Sequence, residues 1–240
     1  MWMICKKEWQ QFFSSLTGYL AIIVFLLLNG LLLFVFPDSN LLDFGYATLG
    51  GFFNTTPFIL LFLVPTVTMR SIADEYKGGT FEILKTLPLR PAQIVGGKFF
   101  GSLLIVVAAL VPTVIYAVSI QALSSIGGID MGATIGSYFG LVFLGAVYTS
   151  VGICASSFTN NTVVAFIAGA FVCFLLYNGF DAISRLPVFK AGGDYYIEML
   201  GIHAHYRSIS RGVVDLRDMI YFVGLIVLFL LVTQRNILKR

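Results

Sequence analysis

The sequence predicts an all-α polytopic membrane protein with six transmembrane helices. Three observations predict it. Of 240 residues, 58% are apolar and only 11% are charged, whereas a soluble domain carries about a quarter charged residues. The apolar residues also gather in continuous runs near the ~20 residues that cross a hydrocarbon core. Finally, Lys and Arg are distributed unevenly between the segments joining those runs. A β-barrel is excluded by the same runs, since its segments would be near ten residues long and would alternate apolar with polar.

The chain opens with an amphipathic stretch over residues 1–18. Trp2, Cys5, Trp9, Phe12, Phe13 and Leu16 recur at helical spacing, and Lys6, Lys7, Gln10 and Gln11 form a polar side. Such a helix lies in the membrane interface with its Lys side chains snorkelling outwards. It either anchors the first span, or encloses a lateral groove or touches a partner. No small-residue cleavage site follows it cleanly, so it does not read as a cleavable signal.

The spans follow in order. The first is Tyr19 to Phe36, ended by Pro37. The second is Phe53 to Met69, with bends expected at Pro57 and Pro65. The third runs from Phe99 to Gln121 around Pro112, the fourth from Ile135 to Ser157, and the fifth from Val163 to Phe180. The last, Met219 to Thr233, is short and is expected to extend into the interface. Residues 158–162 allow only a tight turn, making the fourth and fifth spans an antiparallel hairpin. Residues 181–218 are long, amphipathic and aromatic, and read as interfacial or re-entrant helices on the external side.

Orientation follows from basic residues, which favour the cytoplasmic side. With both termini inside, residues 1–18, 70–98, 158–162 and 234–240 are cytoplasmic. They hold ten Lys and Arg against four acids, and the opposite side holds five against eight. Asp38, Asp43 and Asp130 fall outside.

Between the second and third spans, residues 70–98 concentrate eight of the chain's 27 charged side chains. Ser71 is placed to cap a new helix, with Asp74 three residues on. Gly78 and Gly79 break the run, and Thr80 is placed to cap again before Phe81, Ile83, Leu84 and Leu87, one apolar edge. Pro88 and Pro91 then stop helical geometry, and Gly96–Gly97 permits a bend. Two such short helices cannot bury a core of their own. Their apolar edge must meet headgroups or another protein, and Asp74, Glu75 and Glu82 disfavour anionic headgroups. Docking to a soluble cytoplasmic partner is therefore favoured over a passive amphipathic loop.

The spans are nearly free of ionisable groups. Ion-coupled carriers place such groups at membrane depth, so that class is disfavoured. Asn29, Thr66, Thr68, Thr113, Thr149 and Asn178 read as helix-packing contacts. Acyl-transfer chemistry lacks a base within any span, and no GxxxxGK[ST] loop occurs, so neither a hydrolase nor a nucleotide site is indicated. Cys5, Cys154 and Cys173 show no metal or disulfide spacing. His203 and His205 lack further ligands and read as a solvated loop or interface.

Glu75, Gly79, Thr80, Glu82, Leu84, Leu87 and Pro88 form the pattern E-x(3)-G-T-x-E-x-L-x(2)-L-P. In this topological position it resembles the permease subunits of type-2 ABC exporters, and the resemblance covers essentially the whole chain. A second passage, His205, Tyr206, Ser208, Ile209, Arg211, Gly212, Val213, Val214 and Asp215, is similar to one preceding the last span in the GldF-type gliding-motility permeases of Bacteroidetes. The resemblance implies a single permease domain over residues 1–240 in the bacterial inner membrane. Residues 70–98 would carry the coupling helix that seats in a cytoplasmic ATPase. Asn160 and Asn161 would form a second cytoplasmic contact. The passage with His205, Arg211, Gly212 and Asp215 would belong to re-entrant helices at the outer face. No cofactor would bind this chain, ATP-Mg being held by the partner. That partner would be a GldA-like ATPase, with a GldG-like second membrane subunit or another permease copy alongside. A non-transport scaffold anchoring a gliding or secretion machine is the alternative reading, since no substrate-binding group is evident.

Overall fold

A computed structural model describes residues 1–36, 49–86, 88–124, 128–186, 194–212 and 215–239. Every regular element among them is helical. Pro37, Asp38, Asp43, Leu87, Val213 and Val214 lie outside the described residues.

Among the described residues thirteen α-helices follow in chain order. Helix α1 is Trp2–Phe13, α2 is Leu16–Phe34 and α3 is Gly50–Thr68. Two short helices come next, α4 at Ala73–Lys77 and α5 at Thr80–Thr86. Helix α6, Pro91–Leu110, continues through one 3-10 turn at Val111–Thr113 into α7, Val114–Leu123. Helix α8 is Met131–Phe158 and α9 is Thr162–Phe174, the latter continuing through a π-helical turn, Leu175–Gly179, into α10, Phe180–Ser184. Helices α11, Asp194–Glu198, and α12, Ile202–Ile209, precede α13, Leu216–Lys239.

Six stretches are long and apolar enough to cross a membrane, matching the six spans of the sequence. They are longer than the apolar runs suggested. The second begins at Gly50 and the third at Pro91. Pro91 does not stop a helix there. It occupies the first turn of α6, where its missing N–H is an orphan in any helix.

Helix α8 is the most enclosed span. Its glycines let neighbours approach closely, as small residues do between membrane helices. A side chain at Gly152 would strike Thr68 of α3, and one at Gly145 would press on Val106 of α6 at 3.0 Å. One at Gly140 would meet Ile209 of α12 at 2.8 Å. Phe25, Leu60, Val64, Leu141, Leu144, Val147 and Tyr148 fill the core between these helices. Asn29 links α2 to α3: its Oδ1 accepts from Thr56 Oγ1 at 2.9 Å, and its Nδ2 donates to Phe25 O at 2.8 Å.

Pro57 in α3 removes the N–H that would bond the carbonyl of Phe53. The Tyr206 hydroxyl of α12 donates to that carbonyl instead, at 2.7 Å. Helix α12 thus buries Ile202, Tyr206 and Ile209 against the bundle, so this part of residues 181–218 is no open loop.

Candidate partner-docking platform

One end of the bundle gathers α1, α4, α5, the α8–α9 turn and the carboxyl end of α13. The start of α4 is held by a side chain from elsewhere in the sequence. The N–H groups of Ile72 and Ala73 both donate to Ser156 Oγ of α8, at 3.1 and 3.0 Å, while Ser156 donates to Met69 O at 3.0 Å. Ser156 thus does the work expected of Ser71, whose hydroxyl is buried without a partner. The helix begins one residue later than Ser71 would require, with Ile72 at the capping position. Gly79 makes the turn between the short helices in the left-handed region, φ 67°, where a Cβ is strained. Thr80 is the first residue of α5 rather than its cap, and its hydroxyl reaches back to Glu75 O at 3.5 Å.

Phe81 and Leu84 of the apolar edge of α5 pack inward on the protein itself. Phe81 packs with Ile72, Val95, Phe99, Ile153 and Ile237 in a second apolar cluster, joined by Tyr76 and Leu84. The rings of Tyr76 and Phe81 meet edge to face, with centroids 4.7 Å apart. The insert lacks a core of its own but borrows one from α6, α8 and α13. The carboxyl helix is fixed nearby, where Asn236 Nδ2 donates to Ser157 O at 2.7 Å.

Glu75 also faces inward. Its Oε1 lies 2.9 Å from Lys98 Nζ on α6 and 2.9 Å from Lys7 Nζ on α1. Lys98 is fully buried and reaches Glu8 Oε1 at 2.9 Å and Ser71 O at 2.5 Å. An ammonium has three N–H donors, and here three oxygens receive them. Two cations and two carboxylates thus bind α1, α4 and α6 together. Beside them α1 lies directly on α6: a side chain at Gly97 would sit 2.8 Å from Ile4 Cβ, and one at Gly101 2.8 Å from Glu8 Cβ. Gly97 serves close helix contact, within a continuous α6, rather than a bend. Burial, and then the Glu8 carboxylate, push the Cys5 thiol above its ordinary pKa.

What remains outward is a polar ledge. Lys77, Gly78, Gly79, Thr80, Glu82, Pro88 and Arg90 are exposed. An open depression of about 520 Å³ is lined by Lys77, Phe158, Thr159, Asn160, Asn161 and Thr162. The end of α4 and the α8–α9 turn therefore share one surface. Asn161 also caps α9, accepting from Val163 N at 2.9 Å. Among the residues singled out in the sequence, Gly79, Thr80, Glu82, Pro88, Asn160 and Asn161 are presented at this end. Leu84 is half-buried and Glu75 is enclosed.

The passage before α13 is at the opposite end and makes no part of this ledge. His205 is held between two oxygens, Asp218 Oδ1 at 2.7 Å and Met199 O at 2.9 Å, and stacks on Tyr221 at 3.9 Å. It is an interface residue between α12 and α13, not a solvated one. Gly212 has φ 84° and lies against Ala133, so a Cβ there would clash. Arg211 and Asp215 are exposed, and Asp215 Oδ1 accepts from Arg217 N at 3.1 Å.

Glu8, Lys98 and Ser156 were not singled out by sequence, and Lys7 only as part of the polar side of α1. A usable signal existed for Lys98 alone: it interrupts the apolar and glycine run "IVGGKFFG" within what becomes one helix. Among the described residues no group of three or more His, Cys, Asp and Glu could hold a metal ion.

Six apolar spans define a polytopic helical membrane protein. The chain belongs to the ABC-2 family of transporter proteins, whose family model matches residues 2–235. It is thereby a non-catalytic transport subunit, and ABC architecture implies a cytoplasmic ATPase partner. No curated protein matches the chain.

Proposed function

We propose that this chain is the membrane half of an ATP-driven exporter, coupled through the α4–α5 ledge and the α8–α9 turn to a separate cytoplasmic ATPase that holds ATP-Mg. The convergence of Lys77 with Asn160 and Asn161 around one depression carries this reading. Two segments more than 80 residues apart in sequence make one polar seat, and the α4–α5 segment is bonded to the spans behind it. A load applied to the ledge would pass to α6 through Lys98 and to α8 through Ser156. The surplus of Lys and Arg on this side, ten against four acids, favours its cytoplasmic placement with both termini. The His205 to Asp215 passage supports a GldF-like permease in a bacterial inner membrane, with GldA-like and GldG-like partners and a role in gliding motility or associated secretion.

Co-purification with the cognate ATPase tests the coupling. Glu82→Lys combined with Asn161→Ala should lower recovery of the ATPase by about tenfold, the loss of one or two interfacial hydrogen bonds. Unchanged recovery, with unchanged stimulation of ATP hydrolysis, would reject the ledge as the seat.

A further inference from the structure

A second recess, of mixed polar and apolar lining, lies on the same end, outside the ledge. A recess of about 270 Å³ sits between the α1–α2 junction and the end of α3, walled by Glu8, Gln11, Ser14, Ser15, Thr17 and Arg70 among others. Thr17, Thr66 and Met69 also line a second, strongly apolar groove of about 540 Å³ between α2 and α3. The two spaces therefore adjoin at these three residues, a mouth of mixed polar and apolar lining beside an apolar trough.

The trough runs along α2 from Thr17 to Leu28, about 16 Å at 1.5 Å per residue. That is close to half of a ~30 Å hydrocarbon core. It is thus one leaflet deep. Its walls include the exposed side chains of Leu20, Val24, Phe58 and Phe62, so it opens sideways.

Arg70 stands at the mouth. Its Nη1 lies 3.3 Å from Thr17 Oγ1, and among the described residues it makes no ion pair. A guanidinium has five N–H donors in a fork that fits phosphate. The other charged group in the wall, Glu8, is held by Lys98 at 2.9 Å. The mouth therefore offers an uncommitted cation beside hydroxyls and an amide.

We infer that these adjoining spaces hold a phospholipid of the leaflet on the α1 side, its phosphate at Arg70 and an acyl chain between α2 and α3. That leaflet is the cytoplasmic one in the orientation proposed above, and the inference rests on that orientation. A free phosphate would leave the trough unused, and a lipid without a phosphate would leave Arg70 unused.

Native mass spectrometry of the purified chain, offered phosphatidylglycerol or diacylglycerol in detergent, tests this. About one phosphatidylglycerol should be retained per chain, with about a tenfold preference from the charge-assisted contact. Arg70→Gln should abolish the preference, and Val24→Trp should lower retention of both lipids. Lys6→Gln, an exposed lysine away from the groove, should change neither. Equal retention of the two lipids, persistence of the preference in Arg70→Gln, or a second copy of the chain excluding lipid would overturn it. No ATPase enters the measurement, so its failure is distinct from failure of the docking test.

Discussion

Lys98 on α6 and Glu75 on α4 meet at 2.9 Å, with the lysine fully buried. The pair makes the insert a rigid extension of the spans. A buried cation of this kind is favourable only when its partners are all present, because desolvation costs several kcal/mol per ion. Here Glu75, Glu8 and Ser71 O supply them.

Lys98→Met should therefore destabilise the chain by about 3–5 kcal/mol, the usual result of orphaning buried charges. Lys7 still faces Glu75 and keeps part of the compensation. Adding Glu8→Gln and Glu75→Gln to Lys98→Met should recover part of the loss. Thermal unfolding in detergent measures both.

Cys5 reports whether α1 stays on α6. Its thiol is buried and its pKa is raised by burial and by Glu8, so the reactive thiolate is scarce at neutral pH. Cys154 and Cys173 are buried as well. Maleimide labelling of the folded chain should be slow. Gly101→Leu, which forces a side chain into Glu8 and Cys5, should speed labelling at Cys5 about tenfold or more, because lifting α1 restores both exposure and thiolate.

Ser156→Ala should cost about 1–2 kcal/mol, in the range of a lost helix cap, with the loss concentrated at the insert. The two N–H groups at the start of α4 lose their acceptor, while the bundle keeps its core. Trypsin should then cleave faster after the exposed Lys77, with no matching gain at Arg217 of α13.

Tyr206→Phe should cost about 1–3 kcal/mol, the penalty for a buried carbonyl left without a donor. That carbonyl, Phe53 O, is the one Pro57 frees. Replacing Pro57 by Ala in the same chain should restore an internal helix bond and reduce the penalty. Thermal unfolding of the single and double variants separates these cases.

The spans were legible because membrane length and continuous apolarity are properties of neighbouring residues. So were the breaks in the insert: Gly79 turns the chain where the sequence placed a break, and the tight turn of residues 158–162 stands between α8 and α9. The joints were not legible. Ser156 reaches Ile72 across 84 positions, and Tyr206 reaches Phe53 across 153. Neither donor nor acceptor carries a local mark of its partner. Charge also misled in one place. Glu75 looked like a surface acid because its neighbours are polar, yet the helix phase turns it towards Lys98 while Glu82 stays outside. The apolar edge with Phe81 was visible as an edge, but its cover comes from the ends of three distant helices.

Cross-linking in native membranes tests the docking claim most directly. Single cysteines at Glu82→Cys and Asn161→Cys, in a chain whose three native cysteines are buried, would be labelled with a short maleimide–benzophenone reagent and photolysed, so that the second bond forms at any nearby C–H group. Both should yield a product of permease and ATPase, and Arg207→Cys at the opposite end should yield none. An ATPase product from Arg207→Cys, or none from either ledge position in a complex that still co-purifies, would contradict the ATPase seat on this surface.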